Sequence, residues 1–222
     1  MASERDFIKL ASEITECHKC TRLVKWREKI AKEKRAAYAN EFYWGKPIAG
    51  FGDNRAKILV LGLAPGAHGA NRTGRIFTGD RSGDWLFRAM HKAGLASQPE
   101  SVSRQDGLKL TNAWVSTAVK CAPPDNKPTP AERVKCSAFL SRELAMLDQV
   151  KVIVCLGSFS LTSICDELKI RPRPKFGHGV VFSHQKYEIV CSYHPSQQNT
   201  FTGKLTEKMF DSVFAKAVKL AR

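Results

Sequence analysis

Four short apolar runs constrain this chain more than any other feature: Lys57–Leu63, Ala113–Val119, Lys151–Gly157 and Glu188–Tyr193. Each is rich in Val, Ile or Leu and lacks the in–out alternation of a half-solvated strand, so each reads as a strand buried on both faces. The segments between them carry helical spacing. Trp85, Leu86, Ala89, Met90 and Ala93 fall on one face, with Ser82 placed to cap that helix and Gly94 to end it. Thr129, Pro130 and Glu132 punctuate another start, a capping box with proline at the first helical position, and Cys136, Leu140, Leu144 and Leu147 then share its inward stripe. Further helices are expected from near Ser158 and near Thr206, the last turning Met209, Phe210, Val213, Phe214 and Ala217 inward. Strands alternating with helices imply an α/β fold whose four-stranded parallel sheet is covered on both faces.

At 222 residues and 43% hydrophobic content, the chain can bury the core of one domain, spanning 1–222, without disulfides. The first forty or so residues read as a helical segment of that domain, with Arg22, Lys25, Lys29 and Lys32 on one stripe and Leu23, Trp26 and Ile30 on its neighbour. Thirty-six Lys plus Arg against twenty-one Asp plus Glu leave a net charge of +15, which favours a polyanionic partner, nucleic acid first. A generally basic surface is the plainer alternative. No run approaches the ~18 apolar residues of a membrane span, and the opening MASERDFIKL has no secretion-signal pattern. No membrane partner is expected, and the expected location is the cytoplasm.

In an open parallel sheet, the loops leaving the carboxyl ends of the strands converge on one ligand crevice. Three unusual segments would meet there: the Gly-rich loop Ala64–Gly83, the proline segment Lys120–Pro130, and His194–Thr200. The first does not spell GxGxxG, which argues against a dinucleotide site, but small residues with free amides still suit close approach to a phosphate or a flat base. Phe77 stands in a polar stretch of that loop, where its ring can stack on a base or pack beneath the loop. His194 begins a loop where a strand should end, placed to donate to a developing oxyanion.

Cys17 and Cys20 form a CxxC pair just before a helix, and Cys121 and Cys136 are candidate partners. Their spacing is compatible with zinc and with an iron–sulfur centre. Cys155, Cys165 and Cys191 lie in apolar runs or a helix and read as core residues.

The stretches GLAPGAHGANRTGRIFTGDRSGDWL, KCAPPDNKPTP and YHPSQQNTFTG, in this order and with these four cysteines, resemble the bacterial and archaeal family 5 uracil-DNA glycosylases, the type B branch of that superfamily. The resemblance runs from Cys17 to the last helix. It implies a three-layer α/β/α sandwich with a central four-stranded parallel sheet, and a structural [4Fe-4S] cluster on Cys17, Cys20, Cys121 and Cys136. It implies a nucleoid-associated monomer acting on double- or single-stranded DNA that contains uracil or another deaminated base. Phe77 would stack on the flipped base and the backbone from Gly62 through Ala64 and Pro65 to Gly66 would line the pocket. His194 would hydrogen-bond uracil O2, and the loop through Ser196 and Asn199 would press into the minor groove.

Two departures from the superfamily pattern matter. The water-positioning Asp found before the first-motif proline in better-known members is Ala64 here, which leaves Asp80, Asp84 and Asn126 as candidates, Asp80 preferred. The Asn with which sister families read uracil is replaced by Thr117, four residues before Cys121. A pocket without that amide should discriminate less sharply, so hypoxanthine is an expected second base. The competing function is a non-catalytic nucleic-acid-binding module with structural zinc.

Overall fold

Residues 2–222 are described by a computed structural model. In chain order the elements are α1 (Glu4–Thr15), α2 (Thr21–Glu33), β1 (Phe51–Gly52), β2 (Ile58–Gly62), α3 (Ala70–Thr73), α4 (Arg81–Lys92), β3 (Ala113–Thr117), α5 (Pro130–Met146), β4 (Val152–Leu156), α6 (Ser158–Glu167), β5 (Val181–His184), β6 (Tyr187–Ser192), α7 (Gln197–Phe201) and α8 (Glu207–Leu220). Among the described residues no helix is long and apolar enough to cross a membrane.

The four expected strands are β2, β3, β4 and β6, and they pair in parallel. The sheet they form is nevertheless six-stranded and mixed, in the order β1-β3-β2-β4-β6-β5, which corrects the four-stranded parallel expectation. Phe51–Gly52 joins β3 antiparallel, and Val181–His184 joins β6 antiparallel. Neither edge strand carries a buried run: β1 has two residues and β5 is half-exposed. Their strand state comes from the neighbour that offers its open edge, not from their own side chains.

Alternation along the central strands divides the core in two. Ile58, Val60, Val115, Val152 and Val154 face Leu86, Phe87 and Met90 of α4 and Phe210, Val213 and Phe214 of α8. Leu59, Leu61, Trp114, Ile153 and Cys155 face Leu140 and Leu144 of α5 and Leu161, Ile164 and Cys165 of α6. The sheet therefore has helices on both faces, and each large side chain so buried contributes roughly 1.5–3 kcal/mol. Cys155, Cys165 and Cys191 sit in this second layer, as core residues.

The N-terminal helices close one corner. Ser3 and Asp6 form a capping box on α1, and Phe7 packs against Trp114 at 4.9 Å between ring centroids. Leu10 and Ile14 of α1 join Leu23 of α2 and Phe139 of α5 in a third apolar cluster. Thr129 and Glu132 cap α5 reciprocally, at 2.8 and 3.2 Å, as the sequence foretold. The start of α4 differs: Asp80, not Ser82, is its N-cap, accepting from the Gly83 N–H at 3.0 Å. Both residue types cap well, and the tertiary path of the loop selects between them.

Candidate active site

The floor of the site is a backbone contact. Gly62, the last residue of β2, lies in register with Thr117, the last of β3. A Cβ on Gly62 would come within 2.6 Å of Phe77 Cζ and 3.3 Å of the Thr117 methyl, so only glycine admits the ring here. Phe77 is held there on left-handed backbone, φ 54°, and is 6% exposed. The Thr117 hydroxyl donates to the Val119 carbonyl at 2.9 Å, which leaves its methyl against Gly62.

The loop that delivers Phe77 is braced from inside by two buried arginines. Arg72 donates to the carbonyls of His68 and Gly79 at 2.8 and 2.9 Å and pairs with Glu41. Arg75 donates to Thr78 Oγ1 at 3.0 Å, Ser101 Oγ at 2.7 Å and Asp106 Oδ2 at 2.5 Å. Burial opposes the Asp106 charge, but Arg75 and the N–H groups of Leu108, Val102 and Ser103 win, holding its carboxyl down at about 2. Nothing in the spacing of these arginines marks them as internal; basic residues in a Gly-rich loop read as surface.

His194 arrives from the other side of the sheet, two residues beyond β6. Its ring centroid lies 5.9 Å from that of Phe77, the planes 31° apart. Its Cβ would sit 3.6 Å from a Cβ on Gly157, the residue that follows β4. Among the described residues its imidazole has no hydrogen-bond partner. Burial alone pushes it down to about 4, so at neutral pH the ring is uncharged and keeps one N–H to give. Ser196 caps α7 through the Asn199 N–H at 3.3 Å, and Asn199 Nδ2 donates to the His194 carbonyl at 2.9 Å. Ser196 and Asn199 thus shape the turn that carries the imidazole.

Cys17, Cys20, Cys121 and Cys136 line one cavity at the third apolar cluster, together with Leu23, Lys120 and Phe139. Burial pushes Cys121 up to about 11 and Cys136 to about 12, so left alone these thiols stay protonated. The cavity wall is cationic. Arg27, 1% exposed, donates to Cys121 Sγ at 3.1 Å and to the Cys17 carbonyl at 3.2 Å, while its Nε has no partner. The Lys120 N–H donates to Cys136 Sγ at 3.3 Å, and its ammonium is held by Glu143 and Ser116, both at 2.6 Å. A buried guanidinium with an idle donor suits a set of thiolates, whose negative charge it would offset. Among the described residues no group of three or more His, Cys, Asp or Glu side chains is arranged to hold a metal ion.

The model of the uracil DNA glycosylase superfamily matches residues 49–218. A type-5 uracil-DNA glycosylase of Mycobacterium tuberculosis is 49% identical over 217 residues, covering 94% of this chain and 79% of that one. Its counterpart in Mycobacterium leprae is 46% identical over 216 residues, 96% and 94% of the two chains. That of Thermus thermophilus is 46% identical over 210 residues, 94% and 95%. The chain belongs to the uracil DNA glycosylase superfamily, in its type-5 branch. Within that family frame, the Phe77–His194 pair sits at the carboxyl ends of β2, β3, β4 and β6, where the sequence had placed the crevice.

The remaining candidates fall in three places. Pro65 is buried and Ala64 and Gly66 are half-buried along the exit from β2. The Asp80 carboxylate presses on the same loop: a Cβ on Gly69 would lie 2.0 Å, and one on Gly66 2.9 Å, from Asp80 Oδ2. Burial raises the Asp80 carboxyl above its ordinary range, against the pull of the Gly83 N–H. Asp84 is exposed on α4. Asn126 is exposed on the turn Pro124–Asn126, beside the Lys127 carbonyl that Arg22 of α2 holds at 3.1 Å. The sequence gives no sign of Arg27, Arg72 and Arg75, whose burial no periodicity reveals, or of the half-buried His178.

Proposed function

We propose that this chain is a monofunctional DNA glycosylase that takes uracil out of the DNA stack and hydrolyses its N-glycosidic bond, the opening step of base excision repair. The observation that carries the reading is the meeting of Phe77 and His194 over the bare backbone of Gly62. A base must leave the duplex before its glycosidic bond can be reached, and a mispaired uracil is cheaper to extrude than a paired base. Phe77 offers the flipped ring a stacking face. Cleavage leaves negative charge on uracil, and the neutral His194 N–H donates toward O2 to stabilise it. The sugar carries the opposite charge, which the DNA phosphates offset.

Asp80 is the proposed activator of water. Ala64 supplies no base, whereas a carboxylate kept above its usual range and set against Gly66 accepts a proton more readily. Because asparagine caps helices as well as aspartate, Asp80→Asn preserves α4 while removing the base. Its single-turnover rate on a uracil duplex should fall about 10²-fold; a parental rate excludes Asp80.

Thr117 spends its hydroxyl on its own backbone, so the pocket reads the base edge incompletely. Hypoxanthine is then a second substrate. A [4Fe-4S] cluster on Cys17, Cys20, Cys121 and Cys136 suits the all-thiol set and the Arg27 charge, and visible absorption near ~400 nm distinguishes it from the structural zinc of a non-catalytic binding module. When bound, such a cluster supplies a cross-link between the N-terminal helices and α5. The enzyme is read as a one-domain, cytoplasmic, nucleoid-associated monomer whose partner is double- or single-stranded DNA. Incubation with uracil- and hypoxanthine-containing duplexes, followed by alkali, tests the activity. His194→Ala should lose about 10²–10³-fold in rate, the usual cost of an oxyanion donor. An unchanged rate removes the assignment.

A further inference from the structure

The imidazole proposed to donate to the base has no side-chain partner to aim it, so its orientation must come from its backbone. That backbone is fixed at successive points. The Tyr193 N–H donates to His178 Nδ1 at 3.2 Å. The Tyr193 carbonyl accepts from Ser192 Oγ at 2.9 Å, and the His194 carbonyl accepts from Asn199 Nδ2 at 2.9 Å. Of these anchors, His178 alone comes from a distant segment, the link between α6 and β5.

His178 is itself well located. The Gly179 N–H donates to the Cys191 carbonyl at 2.8 Å, and the Cys191 N–H to the Val180 carbonyl at 2.9 Å, so the segment is clipped to β6 just before Tyr193. The rings of His178 and Tyr193 lie 5.2 Å apart, tilted by 35°, and Lys204 Nζ stands 4.8 Å from the Tyr193 centroid. Burial lowers the His178 imidazole below its ordinary value, against a smaller upward pull from the Met209 main chain. With Nδ1 accepting the Tyr193 N–H, the ring proton sits on Nε2.

We propose that His178 is a positioning residue for catalysis, setting the direction of the His194 N–H by accepting the Tyr193 main-chain N–H. The proposal rests on the reading of His194 as the donor to the departing base. Small displacements of a donor weaken transition-state contacts more than ground-state binding. His178 should accordingly act on kcat and leave KM nearly alone.

The test compares His178→Ala, His178→Asn, His178→Gln and His194→Ala in excision from a uracil duplex, with kcat and KM measured separately and thermal unfolding recorded for each. The Asn carbonyl reaches the Nδ1 position, whereas the longer Gln places its oxygen near Nε2. His178→Ala should lose about 10-fold or more in kcat with KM changed less than about 3-fold, and His178→Asn should recover most of the loss. His178→Gln should stay as slow as the alanine variant. Should His178→Ala not fold, the Asn–Gln comparison decides alone. A parental kcat in His178→Ala, or equal rates for Asn and Gln, overturns the role of His178 while a slow His194→Ala leaves the reading of His194 standing. A parental rate in His194→Ala overturns that reading first.

Discussion

The proposed base site at Phe77 and His194 and the cysteine cavity are shaped by the same force with opposite results. In both, burial favours the uncharged form of a titratable group. For His194 the neutral form is the useful one, because an imidazole pushed down to about 4 retains an N–H and demands no counter-ion. For Cys121 and Cys136 the neutral form is inert, since a thiol at about 11 or 12 binds nothing until its proton is displaced. The pocket is accordingly built from glycines and main chain, and the cavity is walled by Arg27 and Lys120. Desolvation suits the first site as it stands, whereas the thiols of the second stay protonated until something displaces their protons.

That contrast breaks most visibly at Cys136. Cys136→Ser should turn a brown protein with broad absorption near ~400 nm colourless and lower its unfolding temperature sharply, because a structural centre contributes to folding itself. A coloured, equally stable variant would place the occupant elsewhere. In the pocket the corresponding change is Gly62→Ala. The added methyl meets the Phe77 ring at 2.6 Å, so the ring must move, and excision should slow by about 10- to 100-fold while the visible spectrum stays parental. Loss of colour in Gly62→Ala would show the two sites to be one unit.

The smallest expected effect is an absence of change. A donor that is neutral throughout the physiological range gives a His194-dependent rate that is flat from about pH 6 to 8. An NMR titration should place its midpoint near 4, and a midpoint near the ordinary ~6.5 would sink the comparison. The sign for stability follows from linkage. The unfolded imidazole takes up its proton at higher pH than the folded one, so between these values the unfolded chain binds more protons. The contribution of His194 is present above about 6.5 and is lost as pH falls toward 4.

The legible parts of the molecule are those whose side chains alone decide the outcome. Val152–Leu156 has no polar face to show to water, and Thr129, Pro130 and Glu132 leave a helix start no alternative. Phe51–Gly52 and Val181–His184 hold no such instruction, so the two edges of the sheet were invisible, and with them the clip that places His178. Asp80 and Ser82 were equivalent as caps until the loop path put the Asp80 carboxylate against Gly69. Arg27, Arg72, Arg75 and Lys120 counted toward a basic surface, yet all four lie inside, where carbonyls, carboxylates, hydroxyls or a thiol meet them.

By itself the sequence determined the central parallel strands, the covering helices, and the meeting of the Gly-rich loop and the His194 segment at the strands' carboxyl ends. Apolar runs and capping residues act locally or through nonspecific burial, and both can be read along a line. Tertiary structure decided the aim of His194, the packing of Phe77 on Gly62, and the internal use of arginine charge. These depend on which groups are deprived of water together, a property of the folded chain alone.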